Sequence, residues 1–277
     1  MGTNREGGLE APTRHPLGWQ EESFWDEDAL NAELERVFDI CHGCRRCVSL
    51  CQSFPTLFDL VDESSTMELD GVDKADYEKV VDQCYLCDLC YQTKCPYVPP
   101  HEFNLDYPHL MLRAKAIKFR KGQTRTRDKL LTSTMGMGKM ASAPVVVNVV
   151  NAANRSDGMR KLTEKVIGVH HKAPVPQFQR PTLKTRAKRI APLTSDAVEA
   201  GRTRGKAAVF GTCYGHYIEP GAGEDLMKVF QHNGIVTTLV EGEACCGMPK
   251  LELGDLDTVA TYKDQNIPIL VRAIDEG

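Results

Sequence analysis

Eleven cysteines set the chemistry open to this 277-residue chain. Eight of them fall into two runs. The first, C-x2-C-x2-C-x3-C, holds Cys41, Cys44, Cys47 and Cys51. The second, C-x2-C-x2-C-x4-C-P, holds Cys84, Cys87, Cys90 and Cys95, with Pro96 following. Three thiolates at this spacing can wrap one face of a cuboidal iron–sulfur cluster, with loop N–H groups aimed at its sulfurs. The fourth ligand must then come from elsewhere in the chain. In two-cluster ferredoxins the last cysteine of each run ligates the other cluster. That rule assigns Cys41, Cys44, Cys47 and Cys95 to one 4Fe–4S cluster. It assigns Cys84, Cys87, Cys90 and Cys51 to the second.

Other uses of these thiols fit less well. Structural zinc favours paired C-x2-C units separated by a loop, not two triple runs each with a trailing cysteine. A c-type haem needs C-x-x-C-H, and Arg45, Val48 and Asp88 stand where the histidine would be. His42 lies inside the first run, but four cysteines already suffice, so it reads as a neighbour of the site or an exposed residue. Pro96 follows Cys95, whereas Gln52 follows Cys51, which makes Cys51 the least constrained member of the set. The 32 residues between Cys51 and Cys84 exceed what a small βαββαβ ferredoxin needs and favour a helical two-cluster domain.

The remaining cysteines are Cys213, in Gly211-Thr212-Cys213-Tyr214-Gly215, and the pair in Cys245-Cys246-Gly247. Cys213 alone reads as a small buried hydrophobe. Adjacent cysteines in a loop cannot both point inward, and the triplet makes a cofactor-binding role for all three the better expectation.

Several elements must position these groups. Apolar residues at Trp25, Leu30, Leu34, Val37 and Phe38 predict a helix over Phe24–Ile40, capped by Ser23 and delivering Cys41 at its end. A second helix over Asp73–Gln83 delivers Cys84, and a third spans Tyr107–Arg120. Helical patches follow around Arg127–Met140 and Asp157–Val166, among prolines that suggest a connector with little core of its own. From Lys206 the pattern changes. A short strand at Ala207–Gly211, a helix over Pro220–Asn233 and a strand over Ile235–Val240 form a βαβ unit with a parallel sheet. Cys213 and the Cys245-Cys246 pair then lie at the carboxyl ends of adjacent strands, where α/β sheets build their sites. Two strands cannot make a stable sheet alone. With a last helix at Val259–Ile274, the C-terminal fold reads as incomplete. The expected class is mainly α. A disordered N-terminus (1–22) leads into a helical two-cluster ferredoxin-type domain (23–120). A basic connector (121–205) and a partial α/β domain (206–277) follow.

Composition bounds the rest. Hydrophobic residues make up 42% and charged residues 26%, as in globular proteins. No apolar run is long enough to cross a membrane, and the N-terminus has no secretory pattern. An odd cysteine count without an export signal reads as metal or redox chemistry in a reducing, cytoplasmic setting. The net charge of −4 divides unevenly: −14 over residues 1–112, +17 over 113–206 and −7 over 207–277. The basic middle either docks on its acidic neighbours or meets an anionic partner, such as the inner face of the cell membrane through peripheral contact. It holds no interleaved aromatics or recognised motif, so nucleic acid is not an expected partner.

With these motifs quoted, the chain resembles one iron–sulfur family. Its members include the C subunit of anaerobic glycerol-3-phosphate dehydrogenase, the iron–sulfur subunit of glycolate oxidase and the heterodisulfide reductase subunits. Cys41 to Cys95 is similar to their helical ferredoxin domain. Cys213 through Cys245-Cys246-Gly247 is similar to the first part of their CCG domain, which normally continues to a C-x-x-C and a second copy; on this reading the chain is C-terminally truncated. Within the family the head and Pro108–Lys118 (PHLMLRAKAIK) look most like the glycerol-3-phosphate dehydrogenase member. The resemblance implies an electron-transfer subunit relaying electrons from a flavoprotein dehydrogenase to a quinone or other acceptor. It also implies a further iron–sulfur cluster or metal at Cys213, Cys245 and Cys246. The alternative it offers is a thiol–disulfide enzyme of the heterodisulfide reductase kind. No G-x-G-x-x-G follows a strand, so the chain is not expected to oxidise a substrate by itself.

Overall fold

A computed structural model describes residues 14–190 and 205–275. The expected disorder at the N-terminus therefore lies largely outside the described residues. The helices are α1 (Glu27–Cys44), α2 (Ser53–Asp62), α3 (Tyr77–Asp82), α4 (Tyr107–Arg120), α5 (Thr126–Leu131), α6 (Thr134–Ala141), α7 (Val146–Arg155), α8 (Asp157–Ile167) and α9 (Leu183–Ala187). Then come β1 (Lys206–Val209), α10 (Cys213–Tyr217), α11 (Pro220–His232), β2 (Val236–Leu239), α12 (Met248–Leu253) and α13 (Leu256–Asp275). The protein is mainly α, as its sequence implies. Two compact units divide it: the described residues through Thr124 with Leu251–Leu256, and Arg125–Lys250 with the described residues from Asp257. The expected connector and the βαβ segment thus share one unit.

The first unit is built on α1 to α4. Val37, Phe38, Leu57, Val61, Val80 and Met111 are fully enclosed. The Phe54 and Tyr107 rings lie 4.7 Å apart, and Phe38 meets Tyr77 edge-on at 5.1 Å. Each such side chain contributes about 1.5–3 kcal/mol relative to exposure. One polar pair sits among them: Ser53 Oγ donates to the Val80 carbonyl at 2.8 Å and meets the Tyr107 hydroxyl at 2.6 Å. That pairing meets the need of a buried hydroxyl for partners.

Four local expectations are corrected here. The first helix does not start at Ser23. Residues Glu22–Trp25 form a 3-10 turn, and Asp26 caps α1 by accepting from the N–H groups of Asp28 and Ala29. The helix also runs on to Cys44, so Cys41 and Cys44 occupy its last turn. Helix α2 is absent from the sequence reading; its Pro55 falls in the first turn, where the missing N–H costs nothing. The expected Arg127–Met140 helix is two pieces broken at Thr132-Ser133. Residues 14–22 are not loose. Arg14 bridges Asp88 and Asp106 at 2.6 and 2.9 Å, and Leu17 and Trp19 pack on the core.

In the second unit β1 and β2 pair in parallel, with Lys206 opposite Val236 and Val209 opposite Leu239. Among the described residues they are the whole sheet. Leu183 of α9 packs against Gly223 of α11, and Gly138 of α6 lies against the Tyr217 ring. Helices α7 and α8 are arranged the other way round. Asn151 and Arg160 are buried along with Val147, whereas Val149, Leu162 and Val166 of the two helices are exposed. Asn151 exchanges two hydrogen bonds with the Phe178 backbone, at 2.7 and 3.0 Å. Arg160 donates to the carbonyls of His170, His171 and Ala173.

Candidate metal centres

The first run forms the end of α1 and the turn after it. Arg45, directly after Cys44, adopts a left-handed conformation (φ 50°) and reverses the chain toward Cys47. The second run repeats the device: Asp88, directly after Cys87, has φ 61°. Neither position is glycine, so each conformation needs support. Arg45 receives it from Asp62, with bonds of 2.8 and 2.5 Å, and from His42 Nδ1 at 2.8 Å. Asp88 receives it from Arg14, whose guanidinium also stacks on the Tyr91 ring at 4.4 Å. His42 is thus engaged with Arg45 through Nδ1.

These turns bring the two runs together. Cys41, Cys44, Cys47 and Cys95 line one small cavity, whose other walls include Phe54, Phe58, Pro96 and Leu105. Three of those thiols come from the first run and one from the end of the second. An adjoining cavity is lined by Cys41, Cys47, Cys90 and Cys95 with Tyr91 and Tyr107. Cys84 lies within electrostatic reach of Cys51 and Cys87, and Cys90 within reach of Cys47, Cys84, Cys51 and Cys41, sulfurs of both proposed sets. Of these thiols Cys84 is buried and Cys87 exposed.

Burial shapes their acidity. It holds the Cys41 and Cys90 thiols well above the ordinary range, with neighbouring sulfurs adding to the effect. Burial also pushes Cys84 up to about 11, partly offset by the Leu86 N–H and by Lys115. The charge of Cys44, which the Tyr97 hydroxyl contacts, keeps the proton on that phenol. Thiolates in such surroundings need a cation, and an all-sulfur donor set selects soft metals. Spacing then separates iron–sulfur from zinc. Four thiolates about 2.3 Å from one zinc would stand about 3.8 Å apart. Among the described residues the sole trio of histidine, cysteine or acidic ligand atoms all within 4.8 Å of one another is Glu164, His170 and His171. No trio of head cysteines falls inside that limit, and a cuboidal group takes a wider spread of ligands than a single zinc does.

The sequence pattern offered no signal for that trio. His171 Nδ1 lies 2.7 Å from Glu164, and the two imidazoles stack with centroids 4.5 Å apart. His170 Nδ1 accepts the Lys172 N–H, which leaves the His170 proton on Nε2, facing Glu164.

The other three cysteines also meet. Cys213 opens α10 after β1, under the Thr212 cap, and Cys245 and Cys246 follow β2. The Thr134 hydroxyl is 3.2 Å from Cys213 Sγ and 3.7 Å from Cys245 Sγ. Cys245 is bonded by both other thiols and by the Gly247 N–H. It is therefore the group that gives up its proton first, and Cys213 and Cys246 are held up as its donors. Asn266 of α13 fixes the loop by accepting from the Ala244 N–H and donating to the Cys245 carbonyl. Gly247, at φ 91°, makes the turn that a side chain would strain. Nearby, His216 and Glu243 form an almost enclosed pair at 2.6 Å.

Comparison with known proteins agrees with this geometry. Residues 40–98 match the 4Fe-4S dicluster domain family. The chain is 34% identical to citrate utilization protein B of Escherichia coli over 84 residues, 30% of this chain and 20% of that protein. It is 25% identical to the C subunit of anaerobic glycerol-3-phosphate dehydrogenase of Escherichia coli K12 over 167 residues, 60% of this chain and 39% of that protein. The matched stretches therefore span well under half of either relative. No solved structure matches significantly. Residues 40–98 are thus similar to 4Fe–4S dicluster domains, and the longer match to the glycerol-3-phosphate dehydrogenase subunit is a partial one.

Proposed function

We propose that the chain is an iron–sulfur electron-transfer subunit with two 4Fe–4S clusters in its first unit. Cys41, Cys44, Cys47 and Cys95 would hold one, and Cys84, Cys87, Cys90 and Cys51 the other. The observation that carries this reading is the cavity shared by three thiols of the first run and the last thiol of the second. When bound, each cluster supplies a one-electron carrier. The chain's own contribution is to hold the thiolates on two left-handed turns, to wall them with aromatic side chains and to limit water. The likeness to the glycerol-3-phosphate dehydrogenase member suggests a flavoprotein dehydrogenase, of glycerol-3-phosphate or similar hydroxy-acid type, as donor. A quinone or another acceptor would complete the chain of transfer.

No helix among the described residues is long and apolar enough to cross a membrane. Any association with the inner face of the cell membrane would be peripheral, through the basic stretch 113–206. The reading also gives Cys213, Cys245 and Cys246 a part of a CCG-type site for a further cluster or metal. Their shared thiolate favours one alternative at that site, a thiol–disulfide redox role of the heterodisulfide reductase kind.

The test is iron, acid-labile sulfide and zinc per chain on anaerobically purified protein, with EPR after dithionite reduction. About eight irons and eight sulfides, with two interacting reduced clusters, is the expected result for two such cubanes. Zinc without iron, persisting after anaerobic reconstitution, would overturn it.

A further inference from the structure

Helix α4 carries a lysine where an apolar residue would be ordinary. Lys115 lies between Ala114 and Ala116 and is only 6% exposed. Its neighbours Lys118 and Lys121 reach outward to acids at the surface. Lys115 instead turns inward. Its ammonium donates to the Cys84 carbonyl at 2.6 Å and to Glu252 Oε1 at 2.7 Å. Glu252 belongs to the segment Leu251–Leu256, which is part of the same unit. Leu256 is buried in the core of that unit, with Leu251 against it. Gly254, at φ 87°, lies so close to the Lys115 carbonyl that any side chain would collide with it. Segment and lysine therefore fit each other.

A buried ammonium is costly to desolvate and persists only with partners. Lys115 has two, but they are unequal in solvation. The carboxylate of Glu252 is 34% exposed, and the Lys115 side chain is 7% exposed. Water screens the anion more than the cation, so the pair is not neutral when seen from Cys84. In keeping with that, Lys115 favours the anionic form of the Cys84 sulfur. A reduced cluster carries one more negative charge than an oxidised one. A fixed cation at one of its ligands therefore favours reduction, since net charge and nearby polar groups are what the protein uses to set the potential.

We infer that Lys115 raises the reduction potential of the cluster held by Cys84, and that Glu252 on the returning segment moderates it. This rests on the ligand set proposed above. The measurement is the potential of each cluster, from EPR of the full anaerobically purified chain poised at a series of potentials. In Lys115→Met, one of the two clusters should show about a tenfold lower reduced-to-oxidised ratio at a given potential, which is about 59 mV for one electron. In Glu252→Gln the same cluster should shift the opposite way by a smaller amount, and Lys115→Arg should stay close to the parent. Shifts of the same sign in Lys115→Met and Glu252→Gln, or no shift in either, would overturn the inference. If Lys115→Met loses a cluster outright, Glu252→Gln decides: the absence of an upward shift there rejects the proposal. Absence of two clusters in the parent protein would instead reject the ligand assignment itself.

Discussion

Helices α1 to α4 and the pair α7–α8 use the same residue types in opposite senses. In the first group the apolar faces close on one another, and the polar groups admitted inside serve named partners: Ser53 with Tyr107, and Lys115 with Cys84 and Glu252. In the pair, Asn151 and Arg160 go inside, beside Val147, to satisfy the backbone of residues 170–178, while Val149 and Val166 face out with 64% and 76% exposure. The contrast shows that a hydrophobic stripe fixes a helix but not the side it buries. Where neighbouring backbone leaves carbonyls unpaired, an arginine that meets three of them can outweigh a few valines, because each orphaned group costs about 1–3 kcal/mol.

The sharpest way to break the comparison is to remove a thiol. Cys95→Ala should bring iron content down toward half, since a cysteine outside the first run would complete the first site; full iron content would refute the shared cavity as a cluster site. Next comes the core of the head. Leu57→Ala, at a position with no exposure, should lower the opening free energy seen by hydrogen exchange by about 2.7–5 kcal/mol. In the second unit Arg160→Ala should cost about 1–3 kcal/mol, with faster exchange confined to residues around 170–173. The same substitution at an outward position, Val149→Ala, should stay within about 0.5 kcal/mol of the parent. A loss at Val149 as large as at Leu57 would show that the outward face of α7 is covered.

The smallest effect is a pH dependence. Burial holds the imidazole of His109, in α4, below its ordinary value of 6.5, although the Asp106 carboxylate nearby pulls the other way. The folded state thus binds this proton less readily than the unfolded chain. The stability contributed by the neutral ring is complete above about pH 6.5 and is lost as pH falls through the lowered folded value. His109→Asn should flatten that fall. An unchanged slope between pH 7 and 5 would assign it to other groups.

The two runs, the mainly α class, α4, α11 and the parallel strand pair were all legible in the sequence, because each rests on local spacing or periodicity. Helix α2 went unread: it contains Pro55, whose effect depends on its place within the first turn and cannot be read without knowing where the helix starts. Arg14 fell in a polar, glycine-containing stretch. Its anchor depends on Asp88 and Asp106, far away in the chain, and no local pattern reports such a pairing. Thr134 and Asn266, which hold the second group of thiols, are ordinary residues made special by contacts across more than 20 positions. Lys115 looked like one more basic residue of α4, and its burial needed the segment around Glu252.

The shared cavity has a meaning for how such a domain can be inherited. Three of its thiols stand at one end of the stretch 41–95 and the fourth at the other, so neither run makes a complete site by itself. A break, duplication or exchange of modules between the runs would disable both halves at once, and the intervening stretch 52–83 is tied to them as well, since its Leu57, Val61 and Val80 fill the core and its Asp62 holds Arg45. The runs and the helices between them would pass from protein to protein as a single indivisible cassette.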